Sequence, residues 1–138
     1  MKTFLLCGWV IVLTVVLAAC SEPYKKTLGN DYYIMGNKDD SASMKLVHGV
    51  NDGYEDVVLG EIVDYDANDG FILIHRKVTE RARALFEDHP LWQKQARMTD
   101  QYWIIEKKFD GVNGPLTYEE YLAKRKQLEV SDGIKIRQ

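Results

Sequence analysis

The sequence predicts an α+β domain: an antiparallel sheet of four or five strands with two or three packed helices, behind a cleaved N-terminal signal. Compact aromatic and β-branched runs, "FILI" and "YWII", are bounded by turn residues, as strands are. Two later stretches show the 3.6-residue periodicity and the caps of helices. The chain has 138 residues, 46% hydrophobic and 28% charged, enough for one domain with one core.

The first element is an address. "MKTFLLCGWVIVLTVVLAACSEPYKK" carries Lys2 and then no charged residue from Thr3 to Cys20, the pattern of a secretory signal. Its end, Leu17-Ala18-Ala19-Cys20, resembles the lipobox of bacterial lipoproteins. That resemblance implies cleavage before Cys20, a diacylglyceryl thioether on its sulfur and, in many bacteria, a further acyl chain on its amine. Two or three such chains hold a protein on a bilayer, because each buried methylene contributes about 0.8 kcal/mol. Ser21 resembles the outer-membrane sorting class. The expected location is therefore the outer membrane in a double-membraned host, and otherwise the outer face of the cell membrane. Residues 1–19 read as the signal, and residues 20–30 as the lipidated cysteine and a polar tether, "SEPYKKTLGN", reaching about 33–36 Å when extended. Residues 31–138 read as the single domain.

Charge and cysteines narrow the possibilities. The formal net charge is −3, and it becomes slightly more negative when Lys2 leaves with the signal. A mildly acidic chain lacks the basic face that nucleic acid requires, so no nucleic-acid partner is expected. Cys7 lies in the signal and Cys20 at the lipidation point. The exported domain then has no disulfide and relies on its core.

Three segments echo one another: "DYYIMGNK" from Asp31, "DGFILIHRK" from Asp69 and "DQYWIIEKK" from Asp100. Their uneven spacing argues against a solenoid and for three strands of one sheet. Apolar residues on both parities place these strands centrally, with cover on both faces. "EDVVLGEIVDY" offers another strand with Gly60 as a bulge. Asn68-Asp69-Gly70 suits a hairpin turn with positive φ. "MKLVHGV" is a further strand, turned at Asn51-Asp52-Gly53, and "DGIKIR" near the end an edge strand.

In the first helical stretch Val78, Ala82, Leu85, Phe86 and His89 share one face. Thr79 caps it, and Pro90 stops it or restarts it as "PLWQKQARM". In the second, Thr117 and Glu120 match a capping box, with Leu116 and Tyr121 as the hydrophobic staple. Tyr118, Tyr121, Leu122 and Leu128 form its inward stripe. Arg125 falls inside that stripe, so it either snorkels outward or meets a buried carboxylate.

The residues that carry chemistry are sparse. Asp64, Asp66 and Asn68 fill the first ligand positions of a calcium loop, but Asp69 replaces its glycine and His75 its closing glutamate; a hairpin turn is the better reading. His48, His75 and His89 lack metal-ligand spacing, and no metal or other cofactor is expected. Ser41, Ser43 and Ser131 sit in no nucleophile elbow, and no catalytic residue is assigned. Arg76, Lys77, Arg81 and Arg83 read as a solvated basic face, with apposition to acidic lipid headgroups as the sharper alternative.

"QYWIIEKK" and "NGPLTYEEYLAKRKQL" resemble the C-terminal half of an uncharacterised family of small bacterial lipoproteins. Its pattern is an aromatic-Ile-Ile-acid-Lys strand, Gly-Pro-Leu, then a helix with Glu-aromatic and basic turns. The resemblance covers about 30 residues and implies fold and localisation, without catalytic residues. The expected function is a non-enzymatic, membrane-anchored module binding another envelope or secreted protein, through an exposed apolar patch around Trp92 or Trp103. An immunity or inhibitor protein against a basic toxin or lytic enzyme is one alternative. A small hydrolase-type enzyme using His75 with Asp64 or Asp66 is the other.

Overall fold

The strands pair in chain order within two antiparallel sheets. The computed structural model describes residues 22–138. Strands β1 (Pro23–Gly29), β2 (Tyr32–Asn37), β3 (Asp40–Val50) and β4 (Gly53–Val58) form one four-stranded sheet. Strands β5 (Ile62–Ala67), β6 (Phe71–Lys77), β7 (Asp100–Glu106) and β8 (Gly111–Leu116) form the other. Helices α1 (Glu80–Phe86) and α2 (Pro90–Gln95) lie between β6 and β7, and α3 (Tyr118–Gln127) follows β8.

The core forms where the sheets face each other. Tyr32, Ile34, Leu46 and Val58 of the first meet Ile62, Ile72, Ile74, Trp103 and Ile105 of the second. The opposite face of the second sheet presents Leu73, Tyr102 and Ile104 to Tyr121 of α3 and to Val130 and Ile134 beyond it. Strands β6 and β7 are thus covered on both faces, as their two apolar parities predict. Ala42, Leu59, Ala82 and Trp92 make a third cluster under α1 and α2.

The α+β class holds, but one sheet becomes two. The echo segments divide between them: "YYIMGN" is β2, while "FILIHRK" and "DQYWIIE" are neighbours β6 and β7. "EDVVLGEIVDY" is two strands rather than one bulged strand, broken where the chain passes between sheets at Leu59–Glu61. Gly60 is required there, because a Cβ would collide with the carbonyl oxygen of Ala42 and lie 2.9 Å from the Phe86 ring. The segment expected to be a tether is largely strand β1, paired from Pro23 with Asn37 to Gly29 with Tyr32. The Asn68-Asp69-Gly70 hairpin forms without positive φ; instead Asn68 Oδ1 accepts the amides of Gly70 and Phe71 at 2.9 and 2.8 Å.

The expected C-terminal edge strand is an extended segment held by side chains. The Lys135 amide donates to Asp66 Oδ2 at 2.9 Å and the Arg137 amide to Asp64 Oδ2 at 2.6 Å. Helix caps follow the sequence more closely. Thr117 and Glu120 complete the capping box of α3, and Thr79 caps α1. Leu85 and Leu122, expected on inward faces, are 42% and 45% exposed.

Candidate functional site

Each sheet pairs a histidine with a tyrosine directly across two strands. In the second sheet His75 opposes Tyr102, and the rings stack with centroids 4.5 Å apart. His75 Nε2 lies 2.9 Å from Asp100 Oδ1. Burial, then the nearby Asp100 carboxylate, push the Tyr102 phenol up from its ordinary value. Above this pair is an open groove of about 390 Å³, closed by Lys77, Thr117, Tyr118 and Gln138.

In the first sheet Tyr32 opposes His48, and these rings stack at 4.2 Å. The Tyr32 hydroxyl donates to Asp110 Oδ1 at 2.8 Å, and His48 Nε2 is 3.7 Å from the same oxygen. Asp110 comes from the β7–β8 turn, where it adopts a left-handed φ of 51°, tolerated best by Asn and Asp among residues with a Cβ. Burial, then the hydrogen bond to Asp110, raise the Tyr32 phenol strongly. The accompanying groove of about 330 Å³ is walled by Val57, Leu91 and Val112 and rimmed by Glu55, Asp56 and Asp110.

Several expected site residues have other work. Trp92 and Trp103 are each 2% exposed, so neither forms the surface patch expected of them. Trp103 packs between the sheets beneath Gly114, and Trp92 lies in the third cluster. Their sequence surroundings are too short in apolar cover only if one sheet is assumed; the second sheet and two helices supply it.

His75 meets Asp100 rather than Asp64 or Asp66. Although Asp64 is its cross-strand neighbour, the carboxylates of Asp64 and Asp66 accept the amides of Arg137, Lys135, Tyr65 and Ala67. These bonds also replace the calcium role weighed for that turn. Among the described residues, no group of three or more His, Cys, Asp or Glu is arranged to hold a metal ion. His48 and His75 do not converge; they serve different sheets. His89 caps α2 through Nδ1, which accepts the Leu91 amide, while Nε2 meets Asp56 at 2.8 Å.

Ser41 donates to Glu61 and Ser43 to the Asp40 carbonyl, while Ser131 accepts the Gly133 amide. All three hydroxyls hold turns or strand ends. Arg125 neither snorkels nor finds a carboxylate: it bonds the Tyr121 hydroxyl and the carbonyls of Ser131 and Ile134. It therefore fastens the C-terminal segment to α3.

Arg76 leaves the expected basic face altogether. It is fully buried, with its guanidinium 5.1 Å from the Trp92 ring. Its nitrogens donate to Gly60 O and Gln95 O, each at 3.0 Å, and to Gln101 Oε1 at 2.6 Å. Nη2 has no partner. Desolvation without a carboxylate pushes its pKa down to about 10. The signal was present in the sequence, since Arg76 shares its strand parity with Ile72 and Ile74. The cross-strand Tyr–His pairs left no such signal, because register joins residues far apart in the chain.

Fold and grooves together define a small two-sheet α+β domain, with one helix on the back of its second sheet and shallow, open, polar-rimmed depressions. The chain belongs to the family described as "Protein of unknown function (DUF3997)", which matches residues 29–138. No curated protein and no solved structure matches it. The match runs from the end of β1 to the C-terminus and agrees with the expectation of an uncharacterised family.

Proposed function

We propose that this chain is a membrane-anchored bacterial lipoprotein whose domain binds another envelope or secreted protein and performs no catalysis. The anchor rests on Leu17-Ala18-Ala19-Cys20, which lies outside the described residues. The binding role rests on one observation: of the seven large apolar side chains exposed among the described residues, four lie toward one end of the sandwich, the others being Val63, Leu85 and Leu122. Phe109 is 74% exposed, Val112 49%, Tyr54 48% and Val50 38%, and all lie in or beside the β3–β4 and β7–β8 hairpins. Single exposed apolar residues are ordinary, but a grouping at one end is the usual mark of a contact surface.

The absence of catalysis is supported by the serines, whose hydroxyls hold backbone or Glu61 rather than a histidine. An immunity or inhibitor role is the second reading, favoured by Asp31, Asp52, Asp69 and Asp110 in the four turns of that same end.

Chemical crosslinking of the full chain in living cells, followed by affinity capture, tests the reading. One reproducible protein partner is expected, lost with Phe109→Ser, a surface change that leaves the fold intact within about 0.5 kcal/mol. No partner at native expression would contradict it.

A further inference from the structure

The domain has two distinct ends. Strand register carries Pro23, Asn37 and Asp40 to one end of the first sheet, and Gly29, Tyr32, His48 and Gly53 to the other. The second sheet aligns its two hairpins with the latter. Lys107 Nζ bonds both Leu28 O and Asn68 O, and the Tyr32 hydroxyl bonds Asp110. If Cys20 carries the lipid, three residues separate the bilayer from Pro23, a reach of about 10–11 Å. The Pro23 end then faces the membrane and the hairpin end faces away.

We infer that the groove between Tyr32, His48, Val57, Leu91 and Val112 at the hairpin end receives an arginine or lysine side chain of a basic protein partner. This rests on the binding-module reading above and names its surface and chemistry. The groove is lined mainly by apolar and aromatic side chains, yet carboxylates stand on its rim. Asp56 is already paired with Lys45 at 2.7 Å and accepts a hydrogen bond from His89 Nε2 at 2.8 Å. Glu55 makes no ion pair among the described residues, and Asp110 accepts the Tyr32 hydroxyl at 2.8 Å and lies 3.7 Å from His48, with no Lys or Arg partner among them. Two under-compensated carboxylates above an apolar wall match a side chain with an aliphatic stem and a cationic head.

A divalent cation is the poorer fit, since among the described residues no group of three or more His, Cys, Asp or Glu is arranged to hold one. An acidic partner would meet like charge from Asp31, Asp52 and Asp69 in the adjoining turns. Phe109, next to Asp110 on the hairpin, gives the partner an apolar contact beside the charged one. A guanidinium at the rim would be held by charge-assisted hydrogen bonds, and these are the strong ones.

The test places photoreactive p-benzoylphenylalanine at Val112 in the full-length chain in host cells, with Leu122 on α3 as the comparison position. The expected result is a protein adduct from Val112 and none from Leu122, with the attached peptide mapping to a segment containing Arg or Lys. The paired change Glu55→Gln and Asp110→Asn removes both charges; Asn retains an acceptor for Tyr32 and tolerates the left-handed φ. It should cut the adduct about tenfold at an unchanged melting temperature. An undiminished adduct in the paired variant, or attachment to an acidic segment, overturns the groove assignment. Adducts from Leu122 alone overturn it while leaving the binding-module reading standing. No adduct from either position overturns both.

Discussion

Arg76 shows how a single residue can order a junction. Its guanidinium gathers the Gly60 carbonyl, the end of α2 and the Gln101 side chain, with Trp92 against its face. A buried cation without a carboxylate is costly unless its donors are engaged, and here three bonds to protein oxygens and an aromatic face offset part of that cost, with Nη2 left unpartnered. Gln101, also fully buried, returns bonds to the Gln95 and Met98 carbonyls. Gly60 must lie close against β3 for this arrangement to close. Gly60→Ala therefore forces a methyl group onto the Ala42 carbonyl and the Phe86 ring, and should destabilise the fold by about 1–3 kcal/mol or more. Urea denaturation measures this directly; an unchanged midpoint would mean that β3 and β5 are not packed as described.

At the scale of elements, exposed sheet edges are met by side chains acting as substitute strands. Gln95 of α2 accepts the Leu59 amide at 3.1 Å and donates to Val57 O at 2.7 Å, covering the free edge of β4. Asp64 and Asp66 do the same for the C-terminal segment beside β5. Such covering blocks edge-to-edge pairing. Helix α3 depends on its start, where Thr117 Oγ1 accepts the Glu120 amide at 3.2 Å and Glu120 bonds back to the Thr117 amide at 3.0 Å. The Thr117 amide, and after it the Thr117 hydroxyl, hold the Glu120 carboxyl below its ordinary value. Thr117→Ala should cost about 0.5–2 kcal/mol, read as a lower thermal midpoint; no change would show that packing of Tyr121 alone secures the helix. The caps were legible because capping depends on residues three apart in the chain. β2, β6, β7 and both helical regions were legible from periodicity for the same local reason. The division into two sheets was not, because it depends on a chain crossing at Gly60 whose cause is the distant Ala42. Nor were the side-chain edge covers, since a Gln or Asp beside a strand looks like any surface residue until register is known.

For the whole molecule, the change from tether to strand alters the expected relation to the membrane. A ten-residue tether would let the domain sample many orientations. With β1 starting at Pro23, and Lys38 donating to the Glu22 carbonyl at 3.0 Å, little free chain remains between Cys20 and the sheet. An anchor there would hold the Pro23 end near the bilayer and present the acidic, apolar-tipped hairpins outward. Trp92 and Trp103 fill the interior, so under the proposed binding role the contact chemistry would fall to Phe109, Val112, Glu55 and Asp110. The most direct test is metabolic labelling with an alkyne palmitate analogue, followed by membrane fractionation of the wild type and of Cys20→Ser. Label and membrane association in the wild type, both lost in Cys20→Ser, are the predicted result. An unlabelled, freely soluble wild-type protein would contradict the account.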